Sequence, residues 1–191
     1  MVLQTLLNYL SVGLPPIPVG GTAPSRNTTN PRYGAADITQ VVSWPEFNYS
    51  TIIQRYGFQL RFAELILPRI RRSLRAAFEQ LASELATRRL SPVTFDGGTV
   101  GAALSSNRAP GDLKQVLAQV NFYMRQHNAR YGYILTNTEL VAVKRLEGSG
   151  RLAVSTAVPW RRGGVGELSV LLALWYLGML AAEDATWFLN T

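Results

Sequence analysis

Residues 168–182 read Leu-Ser-Val-Leu-Leu-Ala-Leu-Trp-Tyr-Leu-Gly-Met-Leu-Ala-Ala, a run with no charged residue and no polar face at helical spacing. Glu167 before it and Glu183-Asp184 after it bound the run at 15 residues, against about 20 needed to span a bilayer. A helix that is apolar on every side must be covered by the rest of its own chain. Trp175 and Tyr176 in it read as core aromatics. The chain is thereby confined to folds that wrap other layers around this segment, and 191 residues with 47% apolar content supply one core of ordinary domain size.

The other elements follow from periodicity. Residues 1–10 suggest a short helix, and the absence of a positive leading segment argues against a secretory signal. Proline and glycine crowd residues 11–50, which read as a linker or surface loop, and the aromatic stretch 41–49 suggests that the chain docks back onto a core. From 56 to 89 apolar residues recur at three- and four-residue steps, predicting a helix interrupted or kinked at Pro68. Residues 91–98 read as a strand stopped by Asp96-Gly97-Gly98, and residues 115–127 as a second helix. Residues 131–136 and 139–146 flank Asn137-Thr138 as a hairpin, with a third strand at 152–158. The expectation is an α/β (α+β) chain, a central mixed sheet flanked by helices, with an N-terminal extension over 1–55 and one domain over 56–191.

Charge narrows the function. The net charge is +7, and the basic residues are 17 Arg and only 2 Lys. Planar guanidinium suits bidentate phosphate recognition, so a polyanion is the expected partner, with a nucleic-acid backbone ahead of a membrane surface. Arg69, Arg72 and Arg75 on the first long helix, with Arg108 beyond it, are the candidate phosphate contacts; a merely solvated face is the competing reading. There is no cysteine and the one histidine is His127. Thiolate metal sites, cysteine nucleophiles and His-rich metal sites are excluded. Any catalysis would then run on carboxylates and a lysine.

The residues that could do so are Asp96, then Asp112-Leu113-Lys114, then Gln119 and Tyr123. Two carboxylates at neighbouring strand ends can share Mg²⁺ or Mn²⁺ through oxygen. If residues 112–114 are a strand, Asp112 and Lys114 project from one face, which places an ammonium beside metal-bound water. Gln119 and Tyr123, four apart, share a helix face. Each has an ordinary alternative: Asp96 as a turn residue, Asp112 as a helix cap, Gln119 and Tyr123 as packing, His127 as a partner of the helix dipole. Lys144, beside Arg145 in the hairpin, is expected to face solvent.

In this order and spacing the motif resembles the PD-(D/E)XK nuclease superfamily, and residues 107–160 are similar to filamentous-fungal proteins related to it. The resemblance spans roughly residues 58–189. It implies a restriction-endonuclease-like core: a helix, three strands, a helix and a further strand. By the resemblance Asp96 and Asp112 would be metal ligands, with Glu64 on the first helix completing the set ahead of Glu79 and Glu84. Lys114 would serve at the attacking water, with Gln119 and Tyr123 in support. The implied activity is Mg²⁺-dependent hydrolysis of DNA; the alternative is an inactive relative that binds nucleic acid or protein. An intracellular place, nuclear or cytoplasmic, goes with that partner, and a homodimer is left open. Pro110-Gly111 directly before Asp112 leaves little room for the strand that should carry the triplet.

Overall fold

The computed structural model describes residues 5–15, 32–62 and 110–182. In chain order these form α1 (Leu6–Leu10), a single 3-10 turn (Ala35–Asp37), β1 (Gln40–Ser43), α2 (Tyr49–Phe62), α3 (Pro110–Gln126), β2 (Tyr131–Leu135), β3 (Glu139–Arg145), β4 (Arg151–Val154), β5 (Val158–Pro159) and α4 (Val170–Ala182). The strands make one mixed sheet in the order β1-β4-β3-β2, with β5 also on β3. β1 runs parallel to β4, and the other pairs are antiparallel. This is the expected α/β class, a mixed sheet flanked by helices.

The hairpin is set by its turn. The Thr136 hydroxyl accepts from the backbone N–H of Thr138 (3.2 Å) and Glu139 (3.1 Å), closing the 136–139 turn from inside. That turn fixes the register Tyr131↔Lys144 through Leu135↔Leu140. Side chains alternate across the sheet from there. Leu140 and Ala142 pack on one face with Trp44, Phe47, Ile52 and Leu60 and with the buried side of α4. Val141 and Val143 pack on the other with Leu152 and with Val116, Leu117 and Met124 of α3. The all-apolar segment is therefore α4, buried against the first face, as its composition requires.

The strand expected over 152–158 is broken. Ser155 continues the ladder with its side chain, accepting from Ala142 N at 2.9 Å, and regular pairing resumes only at Val158. At the β3–β4 turn Gly150 has φ +72, and a Cβ there would fall 2.0 Å from the Asp37 carbonyl oxygen. Backbone contact this close lets Gly150 O accept from Thr39 N at 2.9 Å, which docks the chain entering β1.

The boundary drawn at residue 55 does not separate an extension from a domain. β1 is a strand of the central sheet, and Leu10, Trp44, Phe47 and Ile52 belong to the same core as α4. Residues 11–15 are laced to the approach to α4: Leu14 N donates to Trp160 O (3.1 Å), Gly164 N to Ser11 O (2.7 Å) and Trp160 Nε1 to Pro15 O (2.6 Å). The helix expected from residue 56 begins at Tyr49. Asn48 caps it, its Oδ1 accepting from Thr51 N at 2.9 Å while its amide donates to Pro45 O at 2.6 Å. The continuation of that helix to 89 and the strand at 91–98 lie outside the described residues.

Ser169 joins the two ends of the described chain. Its buried hydroxyl accepts from Leu172 N (3.1 Å), capping α4, and donates to the Leu10 carbonyl at the end of α1. Ser169→Ala removes a cap and strands a buried carbonyl together, a loss of about 2 kcal/mol and about 5 °C in Tm. Thermal unfolding of the variant checks this, with faster proteolysis within residues 5–15 as the local readout; an unchanged Tm would show that the hydroxyl does not hold the two helices together.

Candidate nucleic-acid interface

The Asp-x-Lys triplet is not on a strand. Positions 112–114 lie in the first turn of α3, which starts at Pro110 and not near residue 115. Proline is suited to a first helical position because the N–H it lacks has no partner there, and its fixed φ is already helical. At about 100° per residue, positions 112 and 114 are about 200° apart around the axis. The one-face geometry expected of a strand is therefore lost. Positions 112, 119 and 123 do fall on one stripe, on the side turned away from Leu117 and Met124, which pack on the sheet. Tyr123 is 43% exposed there and Lys114 is exposed on its own side.

Asp96 and Glu64, the other expected metal ligands, and Arg69, Arg72, Arg75 and Arg108, the expected phosphate contacts, lie outside the described residues. Among the described residues no three carboxylate or imidazole groups come together to hold a metal ion. A helix thus separates positions 112 and 114 around its axis, where the motif called for a strand that presents both from one face.

The described structure instead gathers cations at one end of the hairpin, where β2 begins and β3 ends. Lys144 and Arg145 are neighbours in β3, so they point to opposite faces. Lys144 lies on the face of Trp44, its Nζ 5.5 Å from the ring centroid, and pairs across the strands with Tyr131. The Trp44 and Tyr131 rings stack at 6.1 Å. Burial is the main cause that holds the Lys144 ammonium below its ordinary value; Arg130 adds to it, Glu46 opposes it and Arg55 adds again. Arg130 keeps a buried Nε with no hydrogen-bond partner among the described residues. Lys144 was expected in solvent and is half-buried, because α2, α4 and the segment before α2 cover this face of the sheet.

On the other face Arg145 continues the series Val141, Val143 into the layer under α3, and is only 6% exposed. Its Nη1 donates to Ala129 O at 3.3 Å and its backbone N–H to Arg130 O at 2.8 Å. Burial, and next the Arg125 charge, lower the pKa of its guanidinium. Arg125 stands in the last turn of α3, where a cation suits the helix dipole. The helix stops because Asn128 adopts φ +52, the left-handed conformation asparagine tolerates, and Ala129 N then closes on Met124 O at 2.7 Å. Arg32, Phe122, Arg125, Gln126, Asn128 and Arg145 line a cleft of about 620 Å³ there.

None of these hairpin-end cations was among the expected site residues. Arg145 was visible in principle, as a charge on the apolar alternation of a strand covered on both faces. Arg32, Arg55 and Arg125 had no signal, since their convergence depends on how three separate segments pack.

The burial of Lys144 has a pH signature. The folded chain gives up this proton before the unfolded chain, whose lysine titrates near 10.5. Below the folded value both states carry the charge and the unfavourable burial is felt in full. It is relieved as pH rises toward 10.5, so this group's contribution to stability increases with pH. Relative to Lys144→Met, which keeps the stem on Trp44 without the charge, the parent protein should gain stability as pH rises. Urea unfolding at about pH 7, 9 and 10 measures it, and a parent-to-variant difference constant across that range would show the ammonium to be fully hydrated.

Comparison with known proteins finds no family model, no curated protein and no solved structure that matches this chain.

Proposed function

We propose that the chain binds nucleic acid through the basic end of the β2–β3 hairpin, and that the described residues bind without cleaving. The observation that supports this most is the gathering of Arg32, Arg55, Arg125, Arg130, Lys144 and Arg145 around the ends of two paired strands, with Tyr131 and Phe122 among them. Guanidinium groups neutralise backbone phosphates, and aromatic rings offer stacking surfaces to unpaired bases. The excess of arginine over lysine in the whole chain points the same way. No helix among the described residues is long and apolar enough to cross a membrane.

The hydrolytic reading, Mg²⁺-dependent cleavage of DNA by Asp96, Asp112 and Lys114 in a PD-(D/E)XK-like fold, draws its support from the motif alone. A helix beneath Asp112 and Lys114 takes away the geometry that made the triplet attractive, so binding is the better supported of the two.

Labelled single-stranded and duplex DNA titrated with the full chain at several salt concentrations separates the readings. Binding should weaken steeply with salt, and Lys144→Gln with Arg130→Gln should cost about tenfold in affinity and flatten the log–log slope by about one unit per cation removed. Unchanged migration of DNA at low salt would sink the proposal. In parallel, plasmid with Mg²⁺ or Mn²⁺ should stay intact; cleavage abolished by both Asp112→Ala and Lys114→Ala would restore the hydrolytic reading.

A further inference from the structure

We propose that the cleft between the end of α3, residues 127–130 and the end of β3 is a pocket for one terminal phosphate, carried by a nucleic-acid strand end or by a free mononucleotide. The inference rests on the nucleic-acid reading for the class of ligand, and it assigns a distinct task to one face of the hairpin end.

Three observations carry it. First, a guanidinium buried to 6% exposure is costly unless an opposite charge meets it. Arg125, exposed in the last turn of α3, brings a second guanidinium to the lining of this cleft. Arg125 makes the cost of Arg145 greater, and a phosphate between them would convert that repulsion into attraction on both sides. Second, the fork of Arg145 is held in place. Its Nη1 is tied to Ala129 O at 3.3 Å, and the left-handed Asn128 bends the chain so that Arg125, Gln126, Asn128 and Arg145 border one space. A preset fork suits bidentate contact with phosphate oxygens. Third, the space fits the ligand. About 620 Å³ lies within the usual range for small-molecule pockets, about 300–1,000 Å³, and is far too small to track a duplex. Its wall includes Phe122, braced by Tyr33 at 5.5 Å and Tyr123 at 5.7 Å between ring centroids, a surface on which a base or sugar can lie.

Three cations around one space favour a terminal phosphate over an internal one, because the monoester carries nearly two negative charges at neutral pH and the diester one. The oxygens would meet Arg32, Arg125 and Arg145, with the Asn128 amide as a neutral donor. Lys144, on the opposite face of the sheet, has no part in it, so the two faces of the hairpin end separate strand contact from end recognition.

The test uses the full chain and a short labelled single strand prepared with a 5′-phosphate, with a 3′-phosphate, or with hydroxyls at both ends, and with AMP and inorganic phosphate as competitors. One phosphorylated end should bind about tenfold tighter than the hydroxyl-ended strand, and the preference should vanish in Arg125→Ala combined with Arg32→Ala. Both side chains are exposed, and the pair counts where its Tm shows it folded; Arg145→Met, which empties a buried position, is a second variant read under the same condition. AMP that binds while no strand does would uphold the pocket and overturn nucleic-acid binding. Strands that bind alike whatever their ends, with no effect of AMP, would overturn the pocket and leave nucleic-acid binding standing. Failure of every probe to bind would overturn both.

Discussion

The helix Val170–Ala182 has no polar side to turn to water, and the rest of the architecture answers that requirement. One side of it meets the sheet at Leu140, Ala142 and Val158, another meets α2 and the segment before it through Tyr176 with Tyr56 and Phe47, and α1 closes against it through Ser169. Covering an apolar cylinder takes a sheet and several helices in concert, which is why residues from both ends of the chain share one core. The sheet, once committed on that face, has a second apolar face to cover, and α3 with the 3-10 turn covers it.

Two covered faces leave charges few places to go. Alternation sends Lys144 into one layer and Arg145 into the other, and neither reaches solvent freely. The basic end of the hairpin is thus a consequence of the layering: strands buried on both sides carry their charges at the ends, and the segments that cap those ends add Arg32, Arg55, Arg125 and Arg130. Gathering like charges costs stability, and perturbed groups of this kind occur at functional sites as well as in structural networks. The binding proposed for the hairpin end builds on that gathering, whereas the Asp-x-Lys motif lies in a helix and not on the strand expected of it.

Much of the scaffold was legible in the residues. Alternation over 131–146 marked the hairpin, the apolar run over 168–182 marked the buried helix, and the aromatic stretch 41–49 pointed to a return to the core. The misreadings share one cause. Pro110-Gly111-Asp112 suits the opening of a helix as well as a turn before a strand, since proline, glycine and aspartate are common in both settings. Periodicity has too few residues to decide there. The boundary at 55 failed for a related reason: β1 has four residues and only its pairing with β4 makes it a strand, a partner more than 100 positions away.

What the sequence determined by itself is what depends on neighbours along the chain. The spacing of apolar side chains selects helix or strand, and an apolar helix too short for a bilayer demands other layers of its own chain to cover it. The composition, free of cysteine, discards thiol chemistry. Only the tertiary structure decided which of the cations meet. Arg32, Arg125 and Arg145 come from three segments with no periodic relation, brought together by the packing of α3 on the sheet and the left-handed turn at Asn128. Convergence of that kind is a property of packed surfaces, and no local pattern encodes it.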